Sequence, residues 1–431
     1  MSSKRLWIRG GRVIDPAQGI DRSSDLLIED GCIAAWDVEG DPDARIIDAR
    51  GKIVAPGLVD LGTELREPGW EEDETIMTGL GAAVAGGFTS VATLPTTEPP
   101  VDTQAGVQFI QHKAQRARMA RVHVIATISK GRAGDELAEM GSLAETGAVA
   151  FSDADRPVQN AELFRRALQY AQMFDRPIIH YPDVADLSRG GVMHDGVVSM
   201  ILGLPAIPTE AEDVMVSRDL RLAEATGGRL HLASISTAGS VELIRRFKSR
   251  GNRATCSVST ANLGPTDDRL RSFDSALKVR PPLRSEEHVA ACIEGLRDGT
   301  IDLISSGHAP RAEEKKMREL DQAPFGMSGL ETALAVCITT LIRPGHLEWL
   351  DLFDKFSHRP AQVLGVTGGS LEVGKPADVV VVDPESSWRV RPTAFRSKCR
   401  ATPWSGETLY GRVGHTIVGG RVVFERDATA D

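Results

Sequence analysis

The sequence predicts an α/β chain: a (β/α)8 barrel of the TIM type, with a small discontinuous β domain built from both chain termini. Three observations carry the prediction. Between residues 53 and 359, eight short apolar runs alternate with helical stretches. Both ends of the chain read instead as strands broken by turns. Polar residues gather where the apolar runs stop, and in a barrel those ends share one face, the face that hosts chemistry. The predicted division is 1–52 plus 360–431 for the small β domain and 53–359 for the barrel.

In chain order, stretches 6–13 and 25–36 alternate with period two and are punctuated by Gly10-Gly11 and Asp30-Gly31. The barrel runs follow at 53–61, 89–95, 122–129, 148–153, 177–181, 229–234, 254–259 and 301–308. Helical segments such as 160–173, 217–226 and 240–249 lie between them. The count matters, because fewer alternations would suit an open doubly wound sheet. The glycine-rich stretch 82–89 (AAVAGGFT) reads as helix-to-strand packing, since a phosphate loop would need Lys-Ser/Thr at fixed spacing. Beyond the barrel, 377–382 is a buried-strand run and 416–424 reads strand–Gly-Gly–strand. Two β-rich ends can share one domain only if they meet in space.

Bulk properties narrow the function classes. The 431 residues are 41% hydrophobic and 26% charged with a net charge of −10, the profile of a folded globular protein. No basic block appears, so nucleic acid is not an expected partner. No apolar run is long enough to span a bilayer, and the opening MSSKRLWIRGGRVID has no apolar leader region, so no membrane association is expected. The five cysteines form no CxxC pair, which fits a reduced, cytoplasmic compartment. The charge run Glu313, Glu314, Lys315, Lys316 reads as a solvated loop.

The motifs then become specific. Pro56-Gly57-Leu58-Val59-Asp60 followed by Leu65-Arg66-Glu67-Pro68-Gly69 resembles the opening of dihydroorotases of the amidohydrolase superfamily. The resemblance continues through 82–89, 151–157 (FSDADRP), 202–208 (LGLPAIP), 235–243 (ISTAGSVEL), 278–284 (KVRPPLR) and 323–331 (APFGMSGLE), in order along nearly the whole chain. The Arg66–Gly69 block favours the dihydroorotase branch over the hydantoinases.

That resemblance implies a hydrolase that interconverts carbamoyl-aspartate and dihydroorotate. The family's bound metal would lower the pKa of water to about 7 and polarise the amide carbonyl. Against the family pattern, two imidazole ligands after the first strand are replaced by Gly62 and Glu64. A third histidine is replaced by Ser234, and the aspartate that serves as ligand and general base is replaced by Gly307. Asp153 and His180 remain, with Glu64 as a further candidate donor. The implied substrate-binding positions are Arg66, which is kept, and Thr96, Arg280 and Arg311, which have changed. His231 and His308 read as satisfied core histidines.

Zinc sites want three or four His, Asp, Glu or Cys ligands. The sequence-level expectation is therefore a chain with no catalytic residue, no metal and no cofactor. It would be a non-catalytic dihydroorotase homologue in pyrimidine biosynthesis, acting as an assembly partner of the aspartate transcarbamoylase catalytic subunit and itself forming a homo-oligomer. Two alternatives stand beside it. One is a divergent metal-dependent cyclic amidohydrolase holding one zinc on Glu64, Asp153 and His180. The other is a module that binds a carboxylate or pyrimidine intermediate through its arginines.

Overall fold

Eight parallel strands, hydrogen-bonded in sequence order, form the barrel of this computed structural model, which describes residues 5–38, 40 and 44–427. Residues 1–4, on which the reading of the opening stretch partly rests, lie outside the described residues. The barrel strands are β1 (Leu58–Thr63), β2 (Phe88–Thr93), β3 (Arg121–Ala126), β4 (Ala148–Phe151), β5 (Ile178–His180), β6 (Leu230–Leu232), β7 (Thr255–Ser259) and β8 (Leu303–Ser305). Each coincides with a predicted apolar run, because parallel strands covered on both faces are apolar along their whole length.

The first run is split. Ile53–Pro56 pairs antiparallel with Val379–Arg389 in the other sheet, and only from Leu58 onward does the chain join the barrel. Gly57 is the break point: a Cβ there would lie 2.1 Å from Thr89 Cγ2, so the crossing between sheets has room for glycine alone. The second sheet draws on both termini. Its strand path is Arg421–Glu425, Thr408–Val418, Val379–Arg389, Ile53–Pro56, Arg5–Asp15, Ile20–Glu29 and Cys32–Trp36, with Arg45–Asp48 on the flank of Arg5–Asp15. Gly419 and Gly420, both at positive φ, close the final hairpin.

Helices pack outside the barrel. Asn160 caps Ala161–Gln172 by accepting from the N–H groups of Glu162 and Leu163, and Thr237 caps Ala238–Ser249. The helix expected from residue 217 begins earlier and spans Glu210–Thr226. Inside the barrel, Val59, Leu61, Ala92, Ile125, Ala150, Ile179 and Leu303 fill the bore, so its centre is packed core and chemistry is confined to the strand ends.

The seam between β8 and β1 closes through a fully buried carboxylate. Asp60 accepts from Ser306 N–H at 2.7 Å, from Ser306 Oγ at 2.7 Å and from Thr63 Oγ1 at 2.5 Å. Glu64 N–H adds a bond to the His308 carbonyl at 2.9 Å. Asp60→Ala strands buried donors, each costing about 1–3 kcal/mol. We expect a loss of about 3 kcal/mol in urea unfolding; a loss under about 1 kcal/mol would mean that packing alone holds the seam.

Candidate active site

At the C-terminal ends of the strands lies a pocket of about 300 Å3. Its lining includes Gly62, Glu64, Arg66, Asp155, Tyr181, Ser234, Arg280, Gly307, His308 and Arg311. Through Asp155, Arg280 and Phe325 it opens into a wider vestibule of about 790 Å3. The fold thus brings together Arg66, Arg280 and Arg311, which lie far apart in sequence. Thr96 is buried but does not line the pocket.

Each pocket arginine has its own carboxylate. Arg66, 3% exposed and at φ 61°, pairs with Glu64 through Nη2 and donates through Nε to the Pro310 carbonyl at 3.2 Å. Burial pulls the Arg66 pKa down, and Glu64 opposes that pull. Arg280 donates to Asp183 Oδ2 at 2.6 Å and lies over the Tyr181 and Phe325 rings. Burial acts to lower the Arg280 pKa, but Tyr181, Asp183 and Asp155 outweigh it and hold the pKa up. Arg311 reaches Asp73 Oδ2 at 3.4 Å and the Phe325 carbonyl at 3.1 Å. Asp155 pairs with Arg132. Burial tends to raise the Asp155 pKa, yet Arg132, Arg66 and Arg280 together hold it below the usual carboxylate value, so Asp155 faces the pocket ionised. The mouth is therefore a mosaic of paired charges, less cationic than its arginine count suggests.

The run Glu313–Lys316 is a helical turn rather than a loop, and its two acids are exposed while its lysines are engaged. Lys315 Nζ donates to Asp73 Oδ1 and Glu72 Oε1, both at 2.8 Å. Lys316, 6% exposed, donates to the Lys278 and Pro324 carbonyls, and burial lowers its pKa to about 8. These lysines pin the loop after β8 against the mouth.

The two histidines read as core residues part company. His231 is buried, bonded to Thr255 Oγ1 and Ser257 Oγ, and burial lowers its pKa to about 3. His308 lines the pocket. Its Nδ1 accepts from Gly329 N–H at 3.3 Å, which places the ring proton on Nε2; Glu74 Oε2 lies 3.6 Å away, beyond hydrogen-bond distance, so Nε2 has no hydrogen-bond partner among the described residues. Glu74 is fully buried; burial favours its neutral form, but His308, Ser397 and Thr78 outweigh burial and keep it ionised. Sequence reasoning missed this pair because Glu74 and His308 are far apart in the chain.

The donors at the family's ligand positions are otherwise engaged. Asp153 Oδ1 accepts from the N–H groups of Ile128 at 2.8 Å and Ser129 at 3.1 Å, and Oδ2 accepts from Ser129 Oγ. His180 Nδ1 meets Asp219 Oδ2 at 2.6 Å, and its Nε2 accepts from Val158 N–H at 3.0 Å, so both ring nitrogens are used. Neither residue lines the pocket. Gly62 sits at φ 123°, a backbone conformation that L side chains rarely adopt. A Cβ at Gly307 would lie 2.3 Å from Ser259 Oγ and 2.8 Å from Met327 Cε, so an aspartate would not fit without displacing both.

Comparison with known proteins supplies the family. A model of dihydro-orotase-like proteins matches residues 51–240. A dihydroorotase of Pelotomaculum thermopropionicum is 49% identical over 98% of this chain and 99% of its own length. Another, from Anaeromyxobacter dehalogenans, is 48% identical over 97% of this chain and 98% of its own. The chain belongs to the dihydroorotase family. An L-hydantoinase (dihydropyrimidinase) from Arthrobacter aurescens shares the fold, with a TM-score of 0.88 over 99% of this chain and 97% of its own at 24% identity. The barrel class predicted from sequence is thereby shown.

Family membership corrects three expectations. Relatives about half identical along their whole length carry an enzyme's name, which overturns both the reading of a non-enzyme and that of a mere assembly partner for aspartate transcarbamoylase. Missing ligands argue against one arrangement of metal donors; they do not remove a formed pocket, its charges or its imidazole. The expectation that no cofactor is used is overturned with them, since the family's chemistry, on the resemblance above, runs through a bound metal. The residues at the family's ligand positions do not fit that metal, and among the described residues no three His, Cys, Asp or Glu side chains converge as a metal-holding group. Among the described residues no helix is long and apolar enough to cross a membrane.

Proposed function

We propose that the chain is a cyclic amidohydrolase that takes a ring of the dihydroorotate class into the pocket at the barrel mouth. The observation that carries this reading is the set of groups facing one pocket of about 300 Å3: buried Arg66 and half-buried Arg280 for an anionic substrate, and His308 backed by Glu74 for proton transfer. The names carried by the full-length relatives support it.

Opening a cyclic amide adds water across the C–N bond, and the departing nitrogen must take up a proton. Among the titratable side chains that line the pocket, Glu64 and Asp155 are each held by an arginine. The arginines do not release protons at neutral pH, and burial pushes the Tyr181 pKa up. That leaves the imidazole of His308 as the side chain in this pocket that can pass a proton to the departing nitrogen. Arg66 is placed to orient a carboxylate, sharing it with Glu64.

The test is turnover of dihydroorotate and of carbamoyl-aspartate by the purified protein, with and without added zinc. Measurable conversion is expected. Arg66→Met is expected to raise KM by about 10- to 100-fold through loss of one charge-assisted contact. Absence of conversion in either direction under all these conditions would overturn the reading.

A further inference from the structure

A second cluster of arginines lies away from the barrel mouth. A cavity of about 260 Å3 sits where the terminal sheet meets the outer face of the barrel, beside the end of helix Ile76–Ala85. Arg389, Arg391, Arg412 and Arg426 line it, together with Trp388 and Glu331. Arg389, Arg391 and Arg426 thus face a single carboxylate of that lining in a chain whose net charge is −10.

The contrast with the mouth is informative. There, Arg66, Arg132, Arg280 and Arg311 each have a carboxylate partner. Here, Arg389, Arg391 and Arg426 form no ion pair with a carboxylate among the described residues. Arg389 Nε donates to the Gly406 carbonyl at 3.0 Å and Arg426 Nε to the Val413 carbonyl at 2.9 Å, so backbone acceptors hold both side chains in place. Neither bond uses the terminal guanidinium nitrogens, which remain to grip a ligand. Glu331 does not cancel the cluster. Its Oε1 is bound by the N–H groups of Arg396 and Ser397, and burial favours its neutral form, raising its pKa to about 7. The Arg426 pKa falls to about 10, first because of burial and then because the Arg412 and Arg396 guanidiniums lie close. Like charges held together this way are relieved by an anion placed between them.

Guanidinium forks match phosphoryl oxygens in charge and in planar geometry. Trp388, half-buried with its indole N–H bonded to the Gly411 carbonyl at 3.0 Å, offers an apolar wall beside them. We propose that this cavity is a binding site for a small phosphorylated molecule, separate from the pocket at the barrel mouth.

Calorimetric titration of the full-length protein with pyrophosphate and with phenyl phosphate tests this. Both are expected to bind, and raising ionic strength should weaken them. Arg426→Gln and Arg389→Gln should each weaken both at least tenfold. Arg391→Gln removes an exposed charge at the rim, which leaves folding intact, and should weaken binding in the same direction. Arg280→Gln, at the mouth, should leave the phosphate affinity unchanged. Failure of both probes to bind at millimolar concentration would overturn the proposal. So would binding that Arg280→Gln weakens and the Arg389, Arg391 and Arg426 variants do not. The outcome is independent of whether dihydroorotate is turned over.

Discussion

Replacing His308 by asparagine is expected to lower kcat by about 10²–10⁴ while leaving KM within a few-fold, the range that loss of a general acid–base group produces. The split between the two constants carries the argument. His308 lines the pocket itself, and its Nε2 lies 3.6 Å from Glu74, which stands behind that lining. Asparagine can still accept from Gly329 N–H, so the loop after β8 keeps its anchor and the effect falls on proton transfer. Glu74→Gln should follow in the same direction with a smaller loss. Glu74 does not line the pocket; its carboxylate lies 3.6 Å from the imidazole Nε2 and receives Ser397 Oγ at 2.5 Å. Initial-rate kinetics on folded variants decide the matter. An unchanged kcat in His308→Asn would remove His308 from the reaction and leave proton transfer without a side chain in this pocket.

The barrel was legible because its strands are covered on both faces, so all eight announce themselves as apolar runs. What the runs hide is change of partner: 53–61 is one continuous apolar stretch, yet Gly57 divides it between two sheets, and only the clash with Thr89 reveals why. The helix at Glu210–Thr226 was seen only from residue 217 because its first turns carry acids that face neighbouring elements. Glu212 accepts from Ser236 and Thr237, and Asp213 from Thr237 and Ser240. Those acids break the apolar periodicity on which a helix is recognised.

The site was legible by position but not by partner. Reading along the sequence found Arg66, Arg280 and Arg311. It did not find Asp183, Asp73 or Glu74, which come from other loops and decide what those positions can do. It also kept Asp153 and His180 as candidate donors, whereas neither lines the pocket and both are engaged by backbone amides and by Ser129 and Asp219. Residue type predicts what a side chain offers; only the fold shows whether the offer is already taken.

The Glu64–Arg66 pair gives the second large effect. Both residues are buried, at 8% and 3% exposure, and Glu64→Gln leaves a guanidinium in low-dielectric surroundings without its adjacent counter-charge. Breaking a buried pair from one side costs about 3–5 kcal/mol, whereas replacing both partners by neutral groups of similar volume is often close to neutral. The single variant Glu64→Gln is therefore expected to unfold at markedly lower urea concentration. The double variant Glu64→Gln/Arg66→Met should recover most of that loss. A carboxylate ligand supplies the missing charge, so dihydroorotate or carbamoyl-aspartate should stabilise Glu64→Gln by about 2.7 kcal/mol at a hundred times its Kd, and by more than it stabilises the parent chain at the same concentration. In the double variant that extra stabilisation over the parent chain should be lost with the cation that receives the charge. The cycle separates two roles of Arg66. If Glu64→Gln were as stable as the parent and ligand shifted both equally, Arg66 would be neither dependent on Glu64 nor the receptor of the substrate's charge.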